Sequence, residues 1–249
     1  MVADASRDAS AAGAEQFATT HWSMVLAAGK RVTPSANEAL GQLCQIYWYP
    51  LYAYVRRRVA DRQDAEDFTQ AFFASLLERQ TIETAEPERG RFRAFLLTAC
   101  ERFLINEWHK RHAEKRGGKR PLLSLDFASG ESKLSLVALD SLTAEQIYER
   151  QWVITLLERV FDQLRTEYVA RDRLPYFETL KPFLAGSLQR AGYRNAARTL
   201  GISETTAKVA AHRMRKRYRE LLWAEIAQTV QQPADVDEEI RDLFAVLGA

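Results

Sequence analysis

The chain has 249 residues, 47% of them hydrophobic and 10% aromatic, which is enough for one or two packed domains and excludes a chain disordered throughout. Its formal net charge of +2 conceals strong local fields. Residues 109–120 carry six Lys or Arg against Glu114, and residues 203–220 carry six against Glu204 and Glu220, whereas residues 61–88 hold eight acids against Arg62 and Arg79 and residues 225–242 hold six against Arg241.

No run approaches the roughly 18 apolar residues of a membrane span, so no membrane partner is expected. The opening MVADASRDASAAGAEQ lacks the charged-then-apolar pattern of a secretion signal. Residues 1–16 are expected to be disordered and the protein cytoplasmic. Cys44 and Cys100 lie in apolar helical patterns, with no CxxC and only four His in the chain. They read as buried free thiols in a reducing compartment, and no metal or cofactor is expected.

In chain order the apolar residues keep a helical period, and strand alternation bounded by turn residues is absent, so the fold class is all-α. FATTHWSMVLAA (17–28) predicts a short helix. Residues 37–59 place Leu40, Leu43, Cys44, Tyr47, Leu51, Tyr54 and Val55 at helical spacing, with Pro50 expected to kink or break the helix. Residues 64–77 form a third, with Ala65, Phe68, Phe72, Ser75 and Leu76 on one face. The turn EPERG then precedes a long helix over 92–112. Paired glycines and a proline in KRGGKRP open a linker, 117–142, with weak periodicity. Thr143 to Gln146 (TAEQ) resembles a capping box. Helices over 144–170 and 175–190 follow, then a helix-turn-helix at 193–219 and, beyond Pro233, an amphipathic tail at 235–247. The resulting domain plan is 17–116, a linker 117–142, 143–230, and a tail 231–249.

The helix-turn-helix has local causes. Gly201 can adopt the left-handed angles that end one helix, and Ser203 can cap the next, where Glu204 suits the positive end of the dipole. Ala196, Ala197, Leu200, Ile202, Ala207 and Ala210 or Ala211 supply small apolar contacts. Lys208, His212, Arg213, Arg215, Lys216, Arg217 and Arg219 then crowd one helix with cations, and duplex DNA is the usual anionic partner for such a surface.

Three stretches in this order, DAEDFTQAFFASLLE (64–78), GRFRAFLLTACERFLINEWHKRHAEKR (90–116) and YRNAARTLGISETTAKVAAHRMRKRYRELL (193–222), resemble the extracytoplasmic-function sigma factors of bacterial RNA polymerase. The resemblance covers about residues 36–116 and 144–224. FATTHWSMVLAA, the KRGG…LSLD linker and WAEIAQTV (223–230) are similar to a subgroup common in planctomycete-like bacteria. The family implies a region-two helical bundle and a region-four helix-turn-helix domain joined by a flexible linker, with core RNA polymerase and promoter DNA as partners.

By this resemblance the acidic helix docks on a coiled coil of the polymerase's largest subunit through Asp64, Asp67, Gln70 and Phe73, with Phe68 and Phe72 as core. The aromatic and basic helix captures the unpaired strand of the minus-ten element through Arg102, Asn106, Trp108, His109, Lys110 and Arg111. Phe92, Phe95 and Phe103 belong to the same mixture, and Phe95 and Phe103 are the ones expected in the core. Many relatives have Asn where this chain has Arg102, so the family's usual base preference is not carried over at this position. Thr205, Thr206, Lys208, Val209, His212 and Arg213 are implied to read the duplex minus-thirty-five element, while Lys216, Arg217 and Arg219 lie further along and touch phosphate or solvent.

Two rivals are weighed. An enzyme would need a nucleophile motif, a phosphate loop or metal-ligand spacing, and none is present. A stand-alone helix-turn-helix repressor or activator accounts for 193–219 but not for the other two motifs. For regulation, the family points to an anti-sigma protein or a Ser/Thr kinase. Thr69, inside the acidic helix, is the candidate phosphorylation site, where phosphate would add roughly two negative charges; the alternative is a Thr hydroxyl bonded to its own helix. The tail at 235–247 is expected to pack against another part of the chain, and covering the helix-turn-helix domain is an alternative means of control.

Overall fold

A computed structural model describes residues 25, 34–78, 82, 91–113, 125–135, 142–185, 190–227, 229–230 and 233–248. Among the described residues there is no strand, and nine α-helices follow one another: α1 (Pro34–Arg58), α2 (Arg62–Glu78), α3 (Phe92–Ala113), α4 (Phe127–Ser135), α5 (Ala144–Ala170), α6 (Leu174–Leu180), α7 (Arg190–Leu200), α8 (Glu204–Ala227) and α9 (Val236–Gly248). The all-α expectation holds. The expected disorder at 1–16, most of the 17–28 helix and the EPERG and KRGGKRP turns lie outside the described residues. No helix among the described residues is long and apolar enough to cross a membrane.

Contacts divide the chain into two units, residues 1–152 with 227–249, and residues 153–226. The first unit is built on α1, which packs against α2 and α3. Pro50 does not interrupt α1. Tyr47, Leu51, Tyr52, Tyr54 and Val55 are buried on both sides of it. Each such side chain contributes about 1.5–3 kcal/mol on burial, and together they outweigh the roughly 3 kcal/mol that an internal proline costs. From α2, Phe68, Phe72, Phe73 and Leu76 join this core, as do Phe92, Leu96 and Cys100 from α3. Tyr47 meets Phe92 edge-on at 5.4 Å, and Phe92 stacks on Phe95 at 5.8 Å. Burial pushes the Cys44 thiol up to about 12 and the Cys100 thiol upward too, so both are free, protonated packing groups.

The segment expected to be a flexible linker contains α4. Asp126 starts it by accepting the Ser129 N–H at 3.1 Å. A helix this short is marginal alone, and α4 is held by tertiary contact with α1. The Phe127 ring lies 5.0 Å from Tyr52 and 5.9 Å from Trp48. Glu131 accepts the Tyr52 hydroxyl at 2.6 Å and the Arg56 Nε at 2.9 Å. Gly130 permits the close approach, since a Cβ there would sit 3.3 Å from the Trp48 ring.

The first turns of α5 also belong to the first unit. Thr143 and Gln146 form the capping box, Thr143 N–H to Gln146 Oε1 at 2.9 Å and Gln146 N–H to Thr143 Oγ1 at 3.2 Å. Ile147, Tyr148 and Trp152 are buried, and the Tyr148 hydroxyl donates to the Arg93 carbonyl at 2.9 Å. The division therefore falls after Trp152 rather than at 143. The amphipathic tail is packed too. Its helix α9 belongs to the first unit, where Val236, Glu239 and Leu243 are buried, and it is not grouped with the helix-turn-helix segment.

Arg93 ties these pieces together. It is 4% exposed, pairs with Glu149 at 2.9 Å and with Glu239, and its guanidinium lies 4.6 Å over the Trp152 ring. Burial works against its charge, but the two carboxylates more than offset that and hold its pKa above the ordinary value.

The second unit gathers Leu156, Val160 and Leu164 of α5, Phe177 and Leu180 of α6, and Ala207, Ala211, Met214 and Leu221 of α8. Phe161 meets Phe177 at 5.0 Å, and Phe183 stacks on Tyr193 at 4.5 Å. The helix expected over 175–190 stops at Leu180 and continues as a 3-10 segment, Lys181–Ala185. Pro182 is the cause, because it has no N–H to give and clashes with the preceding turn. Gly201, at φ +64°, ends α7 in a Schellman motif. Ile202 N–H reaches the Ala197 carbonyl at 3.0 Å, and Gly201 N–H reaches Arg198 at 3.3 Å. Ser203 Oγ then accepts the Thr206 N–H at 3.1 Å and caps α8. Gly201→Ala should destabilise this unit by about 1–2 kcal/mol in a thermal melt, since a Cβ meets no neighbour there and only the backbone angle resists it.

Candidate polymerase and nucleic-acid interfaces

The first surface is the start of α2. Asp61 accepts the Asp64 N–H at 2.8 Å, Arg62 pairs with Glu66 at 2.7 Å, and Gln63 reaches Asp67 at 3.5 Å. Asp67 is exposed, while Asp64 and Gln70 are half-buried, so these three share an accessible acidic and polar end. Carboxylates there also favour the positive end of the helix dipole. Beyond Gln70 the helix turns inward all round, and Ala71, Phe72, Phe73 and Ala74 are all buried.

Phe73 departs from expectation here, and Thr69 takes the alternative of a hydroxyl bonded to its own helix. Phe73, 1% exposed and 5.5 Å from the Phe72 ring, is core and not part of a docking surface. Thr69 is also 1% exposed, and its hydroxyl donates to the Ala65 carbonyl at 2.8 Å, so a kinase has no access to it while α2 is folded. Thr69→Asp should therefore lower the unfolding free energy by about 2–3 kcal/mol. Thr69→Val should stay within about 1 kcal/mol of the parent in the same urea titration.

The second surface runs along α3. Thr98, Arg102, Ile105, Asn106 and His109 recur at intervals of three and four residues and are all exposed. Trp108 stands beside them at 60% exposure and Ile105 at 51%. The remaining aromatic residues of the helix face inward, with Phe103 lying 5.6 Å from Phe72 and Phe95 on Phe92. Lys110 and Arg111 continue α3, but their side chains lie outside the described residues. The Arg102 guanidinium, an amide, an imidazole and an exposed indole along one helix form a surface on which unpaired bases can stack while their phosphates are held. Ile105 was not among the expected site residues, although the spacing Arg102, Ile105, His109 could have found it.

Residues 47–114 match the family model described as Sigma-70 region 2. The chain carries a sigma-70 region 2 domain. The match runs from the middle of α1 through α2 and α3, so both surfaces just described lie inside region 2. The α4 helix and the C-terminal α9 lie outside the matched residues and pack in the same unit as region 2. No curated protein and no solved structure gives a match.

The third surface is in the second unit, on α8. Thr205, Lys208, Val209, His212, Lys216 and Arg219 recur at three, four, seven, eleven and fourteen residues from Thr205, which puts them on one helix face, and all are exposed. Thr206 and Arg213 flank that face and are exposed too. Ala207, Ala211 and Met214 make the opposite, buried face. Lys208 is partly compensated, pairing with Glu204 at 2.7 Å. Arg217 departs from expectation. Its Nε and Nη2 grip the Glu167 carboxylate of α5 at 3.0 and 2.5 Å, and Glu220 adds a contact at 3.3 Å. A fork held this way locks α8 to α5 and is not available to a phosphate.

Proposed function

We propose that the protein is a promoter-specificity subunit of bacterial RNA polymerase, of the extracytoplasmic-function type and akin to the planctomycete-like subgroup, working in the cytoplasm. The observation that carries this reading is the exposed stripe of Arg102, Ile105, Asn106, Trp108 and His109 on α3, inside the residues that match sigma-70 region 2. That stripe captures the unpaired strand of the minus-ten element. The acidic end of α2, with Asp64, Asp67 and Gln70, docks on core polymerase. The exposed face of α8, with Thr205, Thr206, Lys208, Val209, His212, Arg213 and Lys216, enters the major groove at the minus-thirty-five element. With Thr69 buried, an anti-sigma protein that masks one of these surfaces is the regulator that fits.

Mixing the purified chain with core polymerase and genomic template tests the reading. Mapped transcript starts should share a pair of upstream motifs, and Asp67→Arg should weaken capture of polymerase. Tight binding to a duplex operator without polymerase, and no polymerase-dependent transcript, would instead identify a stand-alone helix-turn-helix regulator.

A further inference from the structure

Arg91 stands at the head of the α3 stripe. It precedes Thr98, Arg102 and His109 by 7, 11 and 18 residues, close to whole numbers of helical turns, so the four lie in one line. Its guanidinium is occupied by α9, pairing through Nη2 with Glu239 at 2.5 Å and with Asp242 at 3.0 Å. The hold on α9 is firm, because Glu239 is 1% exposed and also pairs with buried Arg93, while Val236 and Leu243 are buried on either side. The helix itself is acidic, with Asp237, Glu238, Glu239 and Asp242 against Arg241.

We propose that α9 is an acidic strap whose carboxylates compete with nucleic-acid phosphate for Arg91 and so restrain binding along the α3 stripe. The proposal rests on the single-strand role assigned to that stripe above. A phosphate following the line of α3 meets Arg91 next after Thr98, and at that position Asp242 and Glu239 already supply the negative charge. Asp242 is the exposed partner, at 55% side-chain exposure, and is the one solvent and salt can loosen. Glu239 is the anchor. Such a contact restrains binding without abolishing it, since a strand can engage Arg102 through His109 first and then draw Arg91 away.

The test uses the full chain, a fluorescein-labelled single-stranded DNA of mixed sequence, and anisotropy at about 50 mM salt. Asp242→Asn should bind the strand about two- to fivefold more tightly than the parent, the range that one exposed ion pair supports. The slope of log K against log salt should steepen by about 0.7, the value for one more phosphate contact on a single strand. Arg91→Ala should change the parent little but erase the gain in the double variant with Asp242→Asn. Asp242 is exposed, whereas Arg91 also faces the buried Glu239, so a urea titration of each variant establishes that it is folded before its affinity is compared. Equal affinity for parent and Asp242→Asn overturns the strap and leaves the single-strand reading standing. A gain that survives Arg91→Ala also overturns it, because the effect is then general charge. If no version binds the strand, both the strap and the single-strand role of α3 are wrong.

Discussion

Arg93→Ala should cost the first unit about 3–5 kcal/mol, the range for breaking a buried ion pair. The loss is not the attraction itself, which desolvation largely cancels, but the stranding of Glu239 at 1% exposure with a partner gone. Urea unfolding followed by tryptophan fluorescence reads it, because Trp152 lies 4.6 Å under the guanidinium. The companion variant separates the causes. Removing all three charges together, as Arg93→Met with Glu149→Leu and Glu239→Met, should restore most of the stability, as apolar replacements of buried ion triads do. Should Arg93→Ala unfold no more easily than the parent, the network does not hold α9 and α5 to region 2.

Trp108→Ala should weaken single-strand capture by about 1–3 kcal/mol, roughly 5- to 150-fold in Kd. At 60% exposure the indole is accessible to a base, and a urea titration of the same variant separates a folding effect from a binding one. Permanganate reactivity of unpaired thymines in a polymerase–promoter complex, with anisotropy on a single strand, checks it. Phe103→Ala is the contrasting variant. Its ring lies 5.6 Å from Phe72, so its loss should appear mainly in the unfolding free energy. If Trp108→Ala binds as the parent does, the stripe on α3 is not a stacking surface.

The candidate surfaces were legible where side-chain spacing alone decides exposure. Arg102, Asn106 and His109 on α3, and Thr205, Lys208, Val209 and His212 on α8, follow the helical repeat and are exposed. The repeat failed where a helix is enclosed on more than one side. Phe73 falls off the face marked by Ala65, Phe68 and Phe72, yet α2 is buried all round from Ala71 to Ala74. Thr69, on the same enclosed helix, bonds its hydroxyl to its own helix, as the alternative reading of that residue has it. The grip of Arg217 on Glu167 was not legible, because the two lie 50 residues apart in sequence.

What the chain determined by itself was local: the helical period, the capping box at Thr143 and Gln146, and the turn at Gly201 and Ser203. Each rests on hydrogen bonds and backbone angles within a few residues, so neighbouring letters suffice. Tertiary structure alone decided that α1 runs through Pro50, that α4 forms on Trp48 and Tyr52, and that the acidic tail seats Glu239 against Arg91 and Arg93. Those outcomes depend on which distant surfaces meet, because burial and the pairing of buried charge outweigh the weak local preferences of a proline, a nine-residue helix or an acidic tail.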